Sequence, residues 1–178
     1  MSYHDRVSKE GTPVEALGRG ETLRLTAYHE AGHAVMAQLC NQQITEIEIV
    51  GDEELSGSVR SLRFAEEHMS KLDPEMAVAP IERRLLCTIA GMVAEAMESG
   101  RDGWSEGSED LDAAVRLAMR VVGDCERVIP YLEVVRGHAE TLLRQNWAAV
   151  ELLTNELLRR RRLTGEEARR LLAPLLSL

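Results

Sequence analysis

From Thr22 onward the apolar residues recur at helical spacing. Leu25, Tyr28, Ala31, Val35 and Leu39 lie three or four positions apart and predict a helix from about Thr22 to Cys40. The period then shortens. Within Ile44–Val50, Ile47 and Ile49 alternate with Glu46 and Glu48, as on a half-buried strand. Gly51-Asp52-Glu53-Glu54 predicts a turn and Ser56–Leu62 a second strand, the two strands forming a small sheet or hairpin against the helices. Asp73-Pro74-Glu75 opens a further helical region, and Pro80 marks a restart, because proline is tolerated in a first turn. Ile81, Leu85, Ile89, Met92, Val93 and Ala96 then form one apolar stripe reaching Ser99, with Gly100 as a stop. Arg101–Gly107 is polar and Gly-rich, hence a loop.

Ser108 is placed to cap a helix from about Glu109 to Val122, which Gly123 ends. Glu109, Asp110 and Asp112 occupy its first turn, where the helix dipole favours anions. A long helix is expected from about Pro130 to Arg161. Thr164-Gly165-Glu166-Glu167 has capping-box spacing and opens a short helix to about Leu172. Residues 1–20 are polar and read as a loose arm, and residues 21–178 as a single domain. The predicted class is mainly α with a small β element near residues 45–63.

Composition narrows the function. Aromatic residues are only 3% of the chain, so Leu, Val, Ala, Ile and Met must build the core, which suits packed helices. The net charge of -9 would repel phosphates over most of the surface and argues against nucleic acid as a partner. The one basic run, Arg159 to Arg162, reads as a solvated helix end. No apolar run reaches the roughly 18 residues of a membrane span. Cys40, Cys87 and Cys125 form no C-x-x-C pair; Cys40 and Cys87 lie in apolar sequence and read as buried thiols. Together with the absence of a signal-peptide pattern, these points lead to a cytoplasmic expectation.

The chemistry centres on His29-Glu30-Ala31-Gly32-His33. Histidines four apart on a helix share a face and can reach one ion. Glu30 then stands where a general base would take a proton from a water activated by that ion. A five-residue match of this kind arises by chance in roughly one chain per few hundred of this length, so the setting must carry part of the argument. That setting is a convincing amphipathic helix with Gly32 in its middle. The glycine costs about 1 kcal/mol against alanine, which makes sense if another backbone or the metal site comes close. A catalytic zinc usually takes a third protein ligand. His4, His68 and His138 stand in the arm or in charged surroundings; the acidic candidates are Glu95 and Asp110.

Three blocks carry a resemblance. Ala27-Tyr28-His29-Glu30-Ala31-Gly32-His33-Ala34-Val35 looks like the active-site helix of the FtsH-type AAA zinc metallopeptidases. Ile89-Ala90-Gly91-Met92-Val93-Ala94-Glu95 resembles that family's Gly-Gly-Arg-x-Ala-Glu helix. Gly107-Ser108-Glu109-Asp110-Leu111 with Ala113-Ala114 resembles its Gly-Ala-x-x-Asp-Leu helix, and the Leu-rich remainder fits its helical tail. The resemblance covers about residues 22–175. It implies Zn2+ on His29, His33 and Asp110, Glu30 as catalytic base, and Glu95 orienting a ligand histidine. It further implies an FtsH-protease-like fold, a peptide or unfolded-protein substrate and homo-oligomeric rings.

There are departures. No G-x-x-x-x-G-K-[ST] loop occurs, so an ATPase partner would have to be separate. The middle block has Ala90-Gly91-Met92 in place of two glycines and an arginine. Val50–Glu54 replaces a Pro-Arg-Gly segment, and Gly57–Ser61 stands where the family has a groove strand able to pair with an extended peptide. The expected function is a zinc-dependent metalloendopeptidase acting on flexible or unfolded polypeptides. The alternative is a catalytically silent, zinc-containing interaction or regulatory module of the same fold.

Overall fold

The computed structural model describes residues 19–49, 74–101 and 108–176. The arm up to residue 18, the turn and second strand expected between residues 51 and 62, most of the 101–107 loop, and His4 and His68 lie outside the described residues. The fold is mainly α with one two-stranded sheet, in the order α1 (Arg19–Leu39), β1 (Glu46–Glu48), α2 (Pro74–Ser99), α3 (Glu109–Val122), α4 (Cys125–Gln145), α5 (Trp147–Arg160), β2 (Arg162–Thr164) and α6 (Gly165–Leu172). Among the described residues no helix is long and apolar enough to cross a membrane.

α1 is the central helix. Ala27, Ala31, Ala34, Val35, Met36 and Ala37 have no exposed surface, so it is covered on nearly every side. α2 and α5 supply most of that cover. Small residues let the backbones close up. A Cβ at Gly32 would lie 2.5 Å from the Ala94 Cβ and 2.6 Å from the Ala90 carbonyl oxygen. Of the two reasons expected for a glycine here, the close approach of the α2 backbone is the one found. On the α5 side Tyr28 stacks on Trp147, ring centroids 5.6 Å apart.

Four expectations need correction. α2 runs unbroken through Pro80, although the proline forfeits one backbone bond; the long apolar stripe beyond it outweighs that local loss. α4 begins at Cys125 rather than Pro130, because Asp124 caps it by accepting from the Glu126 amide at 3.0 Å. The expected single helix from Pro130 to Arg161 is two helices. Asn146 interrupts it, its side-chain amide donating to the Leu142 carbonyl at 2.8 Å and competing with the helical ladder. Cys40 is only half-buried, just beyond the end of α1.

The strand at Ile47 is present. Among the described residues its partner is β2, antiparallel, with Ile47 opposite Leu163 and both fully buried. Arg162 pairs with Glu46 on the wet side. α5 ends with Arg159 and Arg160 in its last turn and Arg161 in the left-handed region at φ 67°. Next to the sheet, Gly165 donates to the Thr45 carbonyl at 2.9 Å and sits hard against the Ile44 backbone.

Candidate metal centre

Three helices converge on one point. α1 contributes His29 and His33 from successive turns, α2 contributes Glu95, and α3 contributes Asp110 from its first turn. Local sequence sets the last placement. Ser108 caps α3 by accepting from the Leu111 amide at 3.2 Å, and its hydroxyl also reaches the Met92 sulfur at 3.6 Å, tying the helix start to α2. Leu111, Ala114 and Ala118 turn the buried face of α3 inward, and Asp110 beside them faces α1.

His29 Nε2 lies 2.9 Å from Asp110 Oδ2, His33 Nε2 lies 3.2 Å from the same oxygen, and the two Nε2 atoms are 3.1 Å apart. For zinc bonds of about 2.0–2.1 Å, ligand atoms in a tetrahedral site stand roughly 3.3 Å from one another. The triangle is within a few tenths of an ångström of that requirement. Among the described residues, His29, His33 and Asp110 form a group that could hold a metal ion.

The other ring nitrogens are spoken for. His33 Nδ1 donates to the Cys87 carbonyl at 2.7 Å, and His29 Nδ1 meets Glu95 Oε2 at 3.1 Å. A proton fixed on each Nδ1 leaves each Nε2 lone pair for a metal. Room for the rings comes from Gly91. A Cβ there would lie 2.7 Å from His29 Nε2 and closer still to His33 Nε2. The donor set, the triangle and this cradle all fit zinc.

The side chains are exposed in a graded way: His33 7%, His29 18%, Asp110 31% and Glu95 42%. The site therefore opens to solvent on the Asp110–Glu95 side and is closed behind His33. Glu30 is 2% exposed, an unusual place for a carboxylate. Burial alone would push the His29 imidazole down. Hydrogen bonds to Asp110 and Glu95, with the charges of Glu30 and Asp110, outweigh it and raise the group to about 10. Burial likewise pushes Asp110 up, but its hydrogen bonds to His29 and His33, and their charges, hold it well below the usual carboxylate range.

His138 is exposed on α4 and is not part of this cluster. Sequence reasoning missed the Cys87 carbonyl and the space at Gly91. A main-chain acceptor leaves no mark in a sequence. Gly91 did leave one: a mid-helix glycine four residues before Glu95.

No protein-family model matches the chain. It is similar to the ATP-dependent zinc metalloprotease FTSH 9, chloroplastic/mitochondrial, of Oryza sativa subsp. japonica, at 29% identity over 181 aligned positions that take in 85% of this chain. The aligned stretch is 22% of the relative, so the chain spans about a fifth of that protein's length. This likeness supports a relation to FtsH-type zinc metalloproteases.

Proposed function

We propose that this chain is a zinc-dependent metallopeptidase domain that hydrolyses peptide bonds in flexible or unfolded polypeptides. The observation that carries the proposal is the triangle of His29 Nε2, His33 Nε2 and Asp110 Oδ2, each edge near 3 Å, on the helix that also carries the buried Glu30. A zinc ion on those three atoms would supply Lewis acidity toward the peptide carbonyl and bring the pKa of water down toward about 7. Glu30 takes the proton of the attacking water and returns it to the departing amine. Glu95 and the Cys87 carbonyl hold the two imidazoles in the tautomer and orientation that ligation needs. Substrate reaches the site from its open side, past Asp110 and Glu95.

The test is hydrolysis of an unstructured, fluorescence-quenched peptide by the zinc-loaded protein and by Glu30→Gln. Zinc content near one per chain, with cleavage in the parent and none in Glu30→Gln, is the expected result. Equal cleavage by both proteins removes Glu30 as base. Full zinc loading without cleavage by either favours the interaction-module alternative.

A further inference from the structure

A groove of about 740 Å³ lies between the end of α2, one face of α4 and the start of α5. Val93, Ala96, Met97 and Gly100 line it at three- and four-residue steps along α2 and its stop, so they share a face. Arg136, Glu140 and Arg144 do the same at four-residue steps along α4. α2 stops at Ser99, and Gly100 turns the chain at φ 67° with nothing within 4 Å of where its Cβ would stand. The break at Asn146 sets Trp147 at the start of α5, where it lines the groove and stacks on Tyr28. None of His29, His33, Glu95 or Asp110 lines the groove, so it is a second site and not an extension of the candidate metal centre.

We propose that this groove binds a small amphipathic monocarboxylate, a carboxylate head on an apolar body of the fatty-acid or acyl-amino-acid kind. The volume falls within the range of roughly 300–1,000 Å³ that small-ligand sites occupy. Val93, Ala96, Met97 and Trp147 make the apolar part of the lining, the last three only half-buried, and an apolar body would complete their cover. The charged part holds Arg101, Arg136 and Arg144 against Glu98 and Glu140, one positive charge in excess on a chain of net charge -9. Both acids are committed, Glu98 to Arg24 of α1 and Glu140 to Arg144. Arg101 is exposed and makes no ion pair among the described residues. Its planar guanidinium offers a carboxylate two parallel hydrogen bonds. The two glutamates set the limit on the head. One negative charge matches the excess, whereas a doubly charged phosphate ester would meet their repulsion. The site needs neither metal nor peptidase activity, so it stands apart from the reading above.

The experiment uses the full chain with Trp104→Phe, which leaves Trp147 as its one indole and the reporter. Octanoate and N-acetyl-leucine are titrated with a chelator present and again with zinc. At least one of them should shift Trp147 emission saturably, with a midpoint on the order of 0.1–1 mM that zinc does not change. The tighter of the two names the class of apolar body. Octanol keeps the body without the charge and should bind at least about tenfold more weakly than octanoate. Octyl phosphate should be weaker as well. Arg101→Gln should weaken the carboxylate about tenfold and leave the melting midpoint unchanged. No saturable shift with either carboxylate, octanol binding as well as octanoate, tighter binding of octyl phosphate, parental affinity in Arg101→Gln, or binding only when zinc is present would each overturn the proposal.

Discussion

Glu95 and His29 meet across the α1–α2 interface, Oε2 to Nδ1 at 3.1 Å, on the solvent side of the candidate metal centre. The carboxylate holds the ring from behind, leaving Nε2 toward His33 and Asp110. Glu95→Ala is expected to weaken zinc binding by roughly 10- to 100-fold while the protein stays folded. Competition with a chromophoric chelator measures the affinity, and circular dichroism checks the fold. An unchanged affinity would show that His29 needs no support from Glu95.

Gly91 tests the site through space alone. Alanine there would place a Cβ against the Nε2 atoms of both histidines. We expect Gly91→Ala to abolish stoichiometric zinc binding, read by metal analysis after dialysis. Helicity should be kept, because alanine is the better helix former. Retention of one zinc per chain would contradict the cradle.

Glu30→Gln keeps the shape of the side chain and removes the base. Peptide cleavage should fall by about 10²- to 10⁴-fold, the usual contribution of a general base. Zinc affinity should change little, since Glu30 is not one of the three converging groups. A variant that loses zinc along with activity would assign Glu30 a structural part instead.

The metal-free protein should lose stability on the alkaline side. His29 titrates at about 10 when folded against an ordinary 6.5. The folded state therefore binds the proton more tightly. Its stabilisation is complete below about pH 6.5 and drains away as pH rises toward 10. Asp110 is the acid partner of the same contact, held below its ordinary 3.8. Its share is present above that value and is lost as pH falls through the lower folded value. Urea midpoints with chelator present should be higher at pH 6 than at pH 9.5, and His29→Asn should flatten the slope. A midpoint that rises over that interval refutes the assignment. Zinc must expel the proton from His29 Nε2, so its affinity should climb with pH over the same range.

Gly165 is the sharpest packing constraint near the sheet. A Cβ there would fall 2.5 Å from the Ile44 carbonyl carbon and closer to its oxygen. Backbone cannot yield as a side chain does, so Gly165→Ala is expected to destabilise the fold by more than about 2 kcal/mol. Chemical denaturation measures it; a change within error would mean that the β1 approach relaxes freely.

What could be read from the sequence follows how each element is specified. α3 was legible to the residue, because Ser108 and Gly123 are chemical end-signals and the stripe between them is regular. The capping box at Thr164 and Glu167 was legible for the same reason. The break at Asn146 was not. Leucines continue at helical spacing on both sides, and one asparagine amid them is a weak signal. β2 was invisible because Arg162–Thr164 has one apolar residue and lies between helix signals, whereas β1 sits in the longer alternation of Ile47 and Ile49 with Glu46 and Glu48. In the site, the spacing of His29 and His33 put both on one helix face, and the helical setting had to carry the rest of the argument. Asp110 and Glu95 were both candidates on position, and only a resemblance separated ligand from support, since periodicity alone makes each an ordinary helix carboxylate. What brings them together is the crossing of α1, α2 and α3, and no local pattern encodes a crossing.

The pairing of Ile47 with Leu163 joins positions 116 residues apart in the chain. During synthesis the α5 surface that covers the histidine helix emerges more than a hundred residues after it. The central helix therefore leaves the ribosome with its apolar sides bare and settles only after residues 147–172 are free of the exit tunnel. A ribosome stalled before that point would hold a nascent chain whose two histidines are already made but have no fixed neighbours.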